Sequence, residues 1–117
     1  MTLEETLYRT VKQAMMDDKK ERLTRLENRN SIYPEINKVT TKIYRRNPNV
    51  IAEVLIQANG ICQKCYKEAP FKRASDGTPY LEIHPRKRLA DGGEDTVENA
   101  IAVCPNCHRE LHFGHSR

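Results

Sequence analysis

The sequence contains no tryptophan and only two phenylalanines, and aromatic residues occupy 6% of its 117 positions. Hydrophobic residues reach 38% in all, too little apolar bulk for a thick core. Small polar domains of this kind usually depend on a staple. Long apolar runs are also missing. The N-terminal segment MTLEETLYRT offers neither the core of a signal peptide nor a membrane span. This argues against a membrane protein and leads us to expect a cytoplasmic chain whose thiols stay reduced. Repeats and low-complexity tracts are absent too, leaving room for one small domain with a helical appendage.

What the sequence does have is four cysteines in two CxxC pairs, Cys62/Cys65 and Cys104/Cys107. Two disulfides are the first alternative, but reducing surroundings favour a metal. A thioredoxin-like redox pair is the second, but it needs a single CxxC opening a helix after a strand. Each CxxC turn can aim two thiolates at one ion at roughly 2.3 Å, with turn N–H groups facing the sulfurs. Two such knuckles complete a closed tetrahedral site, so one structural Zn²⁺ is expected on Cys62, Cys65, Cys104 and Cys107. A closed site of this kind is scaffold, not a place for catalysis.

Around the knuckles the pattern is mixed α and β. Leu3, Leu7, Val11, Ala14, Met15, Leu23 and Leu26 follow helical spacing, with Thr2 and Glu5 placed as a capping box and Asp17-Asp18 as a candidate break. This helix is the candidate surface for homodimerisation. Val39, Thr41 and Ile43 alternate with Thr40, Lys42 and Tyr44, the period of a strand. Asn47-Pro48 opens a short helix that ends at Gly60. We therefore expect an α+β chain in two parts. Residues 1–59 supply a helix, a strand and a short helix packing on the core, and residues 60–117 form the zinc-stapled module.

Within that module, Tyr80 to His84 and Ala100 to Val103 read as short strands, and the residues after Pro105 read as a helix. That helix carries His108 and His112 at i and i+4, on one face, where two imidazoles can reach one cation. His84, ending the first strand, makes a third. Lys72 to Gly77 reads as a flexible polar loop that could touch DNA. Net charge is +4, compatible with nucleic acid. The loop run Arg86-Lys87-Arg88 is the first candidate for gripping phosphates, with Arg45 and Arg46 behind it.

In combination, the motifs CxxC, APF (69–71), DGTPYLEIH (76–84), LADGGEDTVEN (89–99) and CPNCHRELHFG (104–114) resemble the HNH, or ββα-metal, nuclease superfamily. Within it the resemblance is to the McrA-like group of modified-cytosine restriction endonucleases. It implies a metal-dependent DNA endonuclease with a catalytic divalent cation (Mg²⁺, Mn²⁺, Ni²⁺ or Zn²⁺) on His84, His108 and His112. It also implies that Asn99 orients the catalytic base and that Glu82 is a positioning carboxylate. One position departs from the pattern. Active members carry a second histidine, the general base, after the first ligand, and here Pro85 occupies that place. Three explanations follow: the water is activated otherwise, by metal coordination alone or by a nearby side chain; the register is shifted, so that His84 is the base and Glu82 helps bind metal; or the module binds DNA with impaired catalysis.

Overall fold

A computed structural model of the chain describes residues 2–114, so His115 in the tail lies outside the described residues. The chain divides into two compact units, Met1–Thr40 and a second from Thr41 onward. The first contains α1 (Leu3–Met16) and α2 (Lys19–Glu27). The capping box is present at Thr2 and Glu5, which satisfies amide groups that the first helical turn leaves open. Asp17-Asp18 is a true break. Asp18 caps α2 by accepting from the Glu21 amide at 2.8 Å. Arg22 reaches back to the Ala14 carbonyl (3.0 Å), and Arg25 pairs with Asp17. Neither helix has a buried residue.

The expected strand at residues 39–44 is not formed, and the segment has no regular structure. Alternation alone does not make a strand, because the backbone needs a ladder partner. Among the described residues the only sheet is an antiparallel pair elsewhere in the chain.

In the second unit α3 (Pro48–Ala58) begins as its sequence indicates, with Asn47 as cap and Pro48 in the first turn. It ends at Asn59 in the left-handed conformation (φ 50°). Val50, Val54 and Ala58, spaced by four, form its buried stripe. That stripe packs with β2 (Ala100–Val103), which pairs with β1 (Glu82–Pro85) in the register Glu82↔Val103, Ile83↔Ala102, His84↔Ile101 and Pro85↔Ala100. Helix α4 (Pro105–Phe113) follows β2 after a single residue, Cys104, which caps it. The core is small: Val50, Val54, Ala58, Cys62, Leu81, Ala100, Ala102, Val103 and Cys107. Two of its nine members are zinc-type ligands, as expected of a domain that cannot close on apolar contacts alone.

The segment read as a flexible polar loop is instead a tight turn. Lys72 bridges Pro79, the Arg73 amide donates to the Thr78 carbonyl at 2.7 Å, and the Tyr80 amide to the Phe71 carbonyl at 2.9 Å. Asp76 accepts from both the amide and the hydroxyl of Thr78. The Asp76 side chain is thus employed in local turn bonds.

A candidate metal centre beside a four-cysteine staple

The two CxxC turns meet as their spacing requires. The four cysteines carry no disulfide, and their sulfurs all lie within 4.8 Å of one another. Cys65 Sγ and Cys104 Sγ are 4.0 Å apart. Sulfurs held about 2.3 Å from a tetrahedral ion stand roughly 3.8 Å apart, so the cluster fits zinc. The amides of Cys65 and Cys107 face the sulfurs of Cys62 and Cys104 at 3.5 and 3.4 Å. Burial alone would raise the Cys62 thiol, but backbone groups of Cys65, Cys104 and Lys64 pull it down to about 6. Cys107 is pushed far up by burial and by the sulfurs of Cys104, Cys65 and Cys62. Burial and the neighbouring sulfurs thus oppose a thiolate at Cys107, and a divalent cation held by the cluster would reverse that opposition.

The knuckle is fastened to the hairpin by Gln63, which the sequence reading passed over. Its amide donates to the Ala102 carbonyl, and its side-chain oxygen accepts from the Ala102 amide, both at 2.9 Å. One residue thereby extends the ladder on the free edge of β2. On the outer side Lys64 pairs with Glu110 of α4 at 2.7 Å.

The imidazoles form a second cluster, between β1 and α4. Glu82 and His84 alternate along β1 and so share a face. His108 and His112 share a face of α4. The metal-binding nitrogens available on His84, His108 and His112 lie within 4.8 Å of one another. His108 Nε2 and His112 Nε2 are 3.2 Å apart. Nitrogens held about 2.1 Å from one tetrahedral ion stand roughly 3.4 Å apart, so the donor set fits a divalent cation. His84 is buried and His112 exposed, which leaves one side of the centre open to solvent.

Glu82 is not aimed at the three nitrogens. One of its oxygens lies 2.6 Å from His108 Nδ1, and the other accepts from the Tyr80 hydroxyl at 2.6 Å. Donation from Tyr80 and then from His108 holds its carboxyl below the usual range. The same bond to Glu82 raises the Tyr80 phenol.

Asn99 braces the loop after β1. Its side-chain oxygen accepts from the Lys87 amide (2.8 Å), and its Nδ2 donates to the carbonyls of Lys87 (3.0 Å) and Glu94 (2.7 Å). The loop is drawn so tight that a Cβ on Gly93 would meet the Lys87 carbonyl oxygen at 2.1 Å, so only glycine fits there. Asp95 ties this loop to α3. It accepts from the Asn47 amide (2.6 Å) and pairs with Arg46 Nε (3.0 Å).

Of the basic residues, Arg86, Lys87, Arg88 and Arg45 are exposed, and Arg88 lies 3.6 Å from Asp91. Arg46 is half-buried against Asp95, so one of its nitrogens is already engaged. Pro85 is the last residue of β1, next to His84.

Residues 62–114 match the family model described as HNH endonuclease. Over 72 residues, 62% of its length, the chain is 54% identical to the type IV methyl-directed restriction enzyme EcoKMcrA of Escherichia coli (strain K12). It spans only 26% of that protein. Among solved structures it resembles the type IV phosphorothioation-dependent restriction endonuclease ScoMcrA, with a TM-score of 0.54 and 32% identity. That likeness covers 61% of this chain and 14% of ScoMcrA. No helix among the described residues is long and apolar enough to cross a membrane.

Proposed function

We propose, from the match of residues 62–114 to the HNH endonuclease family model, that the chain is a metal-dependent DNA endonuclease acting in the cytoplasm. The observation that carries this reading is the convergence of His84, His108 and His112 beside the four-cysteine cluster. In this assignment Cys62, Cys65, Cys104 and Cys107 hold structural Zn²⁺, and the three imidazoles hold the catalytic divalent cation (Mg²⁺, Mn²⁺, Ni²⁺ or Zn²⁺). When bound, that cation stabilises negative charge developing on the scissile phosphate. Glu82 accepts the Nδ1 proton of His108, which leaves Nε2 free to ligate. Asn99 fixes the loop that carries Arg86, Lys87 and Arg88, and these with Arg45 grip backbone phosphates. With His84 grouped with the other imidazoles and Glu82 bonded to His108, the geometry favours His84 as ligand over His84 as base.

The test is cleavage of supercoiled plasmid by the full chain with Mg²⁺, Mn²⁺ or Ni²⁺. Relaxed or linear product that vanishes with EDTA and with His108→Ala supports the nuclease. A DNA shift without cleavage in all three metals would sink it and select the second reading, a zinc-dependent DNA-binding module with impaired catalysis. Pro85 is the observation that favours that rival. One centre per chain implies nicking by a monomer and double-strand cutting by a dimer. The exposed Leu3, Leu7, Val11 and Met15 of α1 are the surface for such a dimer, checked by sedimentation of wild type against Leu7→Glu.

A further inference from the structure

One chain of contacts runs from the turn after the first knuckle to the imidazole cluster. The turn of residues 71–80 ends in Tyr80, whose ring is held on two sides. Phe71 stacks on it with centroids 4.6 Å apart and planes 18° from parallel. The Arg73 guanidinium carbon lies 4.7 Å from its centroid, and Arg73 is itself anchored by donation to the Leu81 carbonyl at 3.0 Å. A ring fixed in this way has little freedom left in its hydroxyl position. That hydroxyl meets Glu82 Oε2 at 2.6 Å, and Glu82 Oε1 meets His108 Nδ1 at 2.6 Å.

We propose that Tyr80 is a positioning residue for the divalent-cation centre. It is seated by Phe71 and Arg73, and it fixes Glu82 so that His108 keeps its proton on Nδ1 and presents Nε2. The inference rests on the imidazole centre binding metal. An imidazole ligand with a mobile carboxylate partner loses orientation and tautomer preference, and outer partners of this kind carry a large share of metal affinity. The turn, remote in sequence from both α4 histidines, is thus part of the cation site.

The experiment is titration of Co²⁺ into the zinc-loaded full chain, followed by visible absorption. Soft thiolates retain zinc against Co²⁺, so Co²⁺ added to a chain carrying one zinc reports on the imidazole cluster. Tyr80→Phe keeps the ring stack and removes only the hydroxyl, and it should weaken Co²⁺ binding roughly three- to tenfold. Glu82→Gln should weaken it about ten- to a hundredfold. The double variant should bind no worse than Glu82→Gln alone, because Tyr80 acts through Glu82. Thermal midpoint and zinc content should stay at wild-type values in Tyr80→Phe, a split that a merely structural role would not give. Unchanged Co²⁺ affinity in Tyr80→Phe overturns the inference, as do losses that multiply in the double variant. A Co²⁺ spectrum that is the same in wild type and in His108→Ala instead overturns the metal-centre reading itself.

Discussion

Residue 85 is where the paired part of β1 ends, and the chain places there a side chain that cannot exchange a proton. Proline has no N–H to give the ladder, and the next ladder bond comes from the Arg86 amide to the Asn99 carbonyl at 2.8 Å. The position therefore tolerates proline without cost to the sheet. If it is the place of the general base, Pro85→His should raise metal-dependent plasmid nicking by about a hundred- to ten-thousandfold, measured as single-turnover rate. An unchanged rate would assign water activation to another group. The two clusters of candidate ligands were readable in advance, because CxxC and the i, i+4 histidine pair are local spacings on one turn or one helix face. The contacts of Gln63, Asp95 and Tyr80 were not. Gln63 and Asp95 meet partners 39 and 49 residues away, and only the folded chain supplies such a pairing.

Helices with strong end signals behaved as their sequences indicate: Thr2 and Glu5 at α1, Asn47-Pro48 at α3, Pro105 at α4. Strand signals were less reliable, since residues 39–44 have the right period and no partner. The turn at residues 72–77 misled for a related reason, as polar side chains look loose until their turn bonds are known. The start of α3 also depends on a distant carboxylate. Donation from the Asn47 amide, then the Arg46 ion pair, holds Asp95 below the usual carboxylate range. A depressed folded-state value means that the contribution is fully present above the unfolded value of about 3.9 and is lost as pH falls through the folded one. Wild type should therefore melt higher than Asp95→Asn at neutral pH, with the gap closing only below about pH 4. A gap that is constant across a pH series of thermal midpoints would remove Asp95 from this role.

Among its described residues the second unit has an apolar core of nine residues joined to a sulfur cluster, and the two are not separable, since Cys62 and Cys107 belong to both. Removing zinc should thus cost the fold and not merely a site. On chelation, amide hydrogen exchange should lose protection in α3, β2 and α4 together, and the four thiols should become reactive in the same step. Reactive thiols with protected helices would mean that the core stands without its ion.

Cys107 and His108 are neighbours, and each belongs to a different cluster of candidate ligands. Helix α4 therefore works as a shaft whose angular setting is shared: the sulfur cluster fixes its phase, and the imidazoles inherit it. One residue inserted between them would turn everything downstream by about 100° and carry His108 and His112 away from His84. The two motifs can change in composition, but they cannot change in spacing independently, so the staple and the centre it serves must be altered or inherited as a single part.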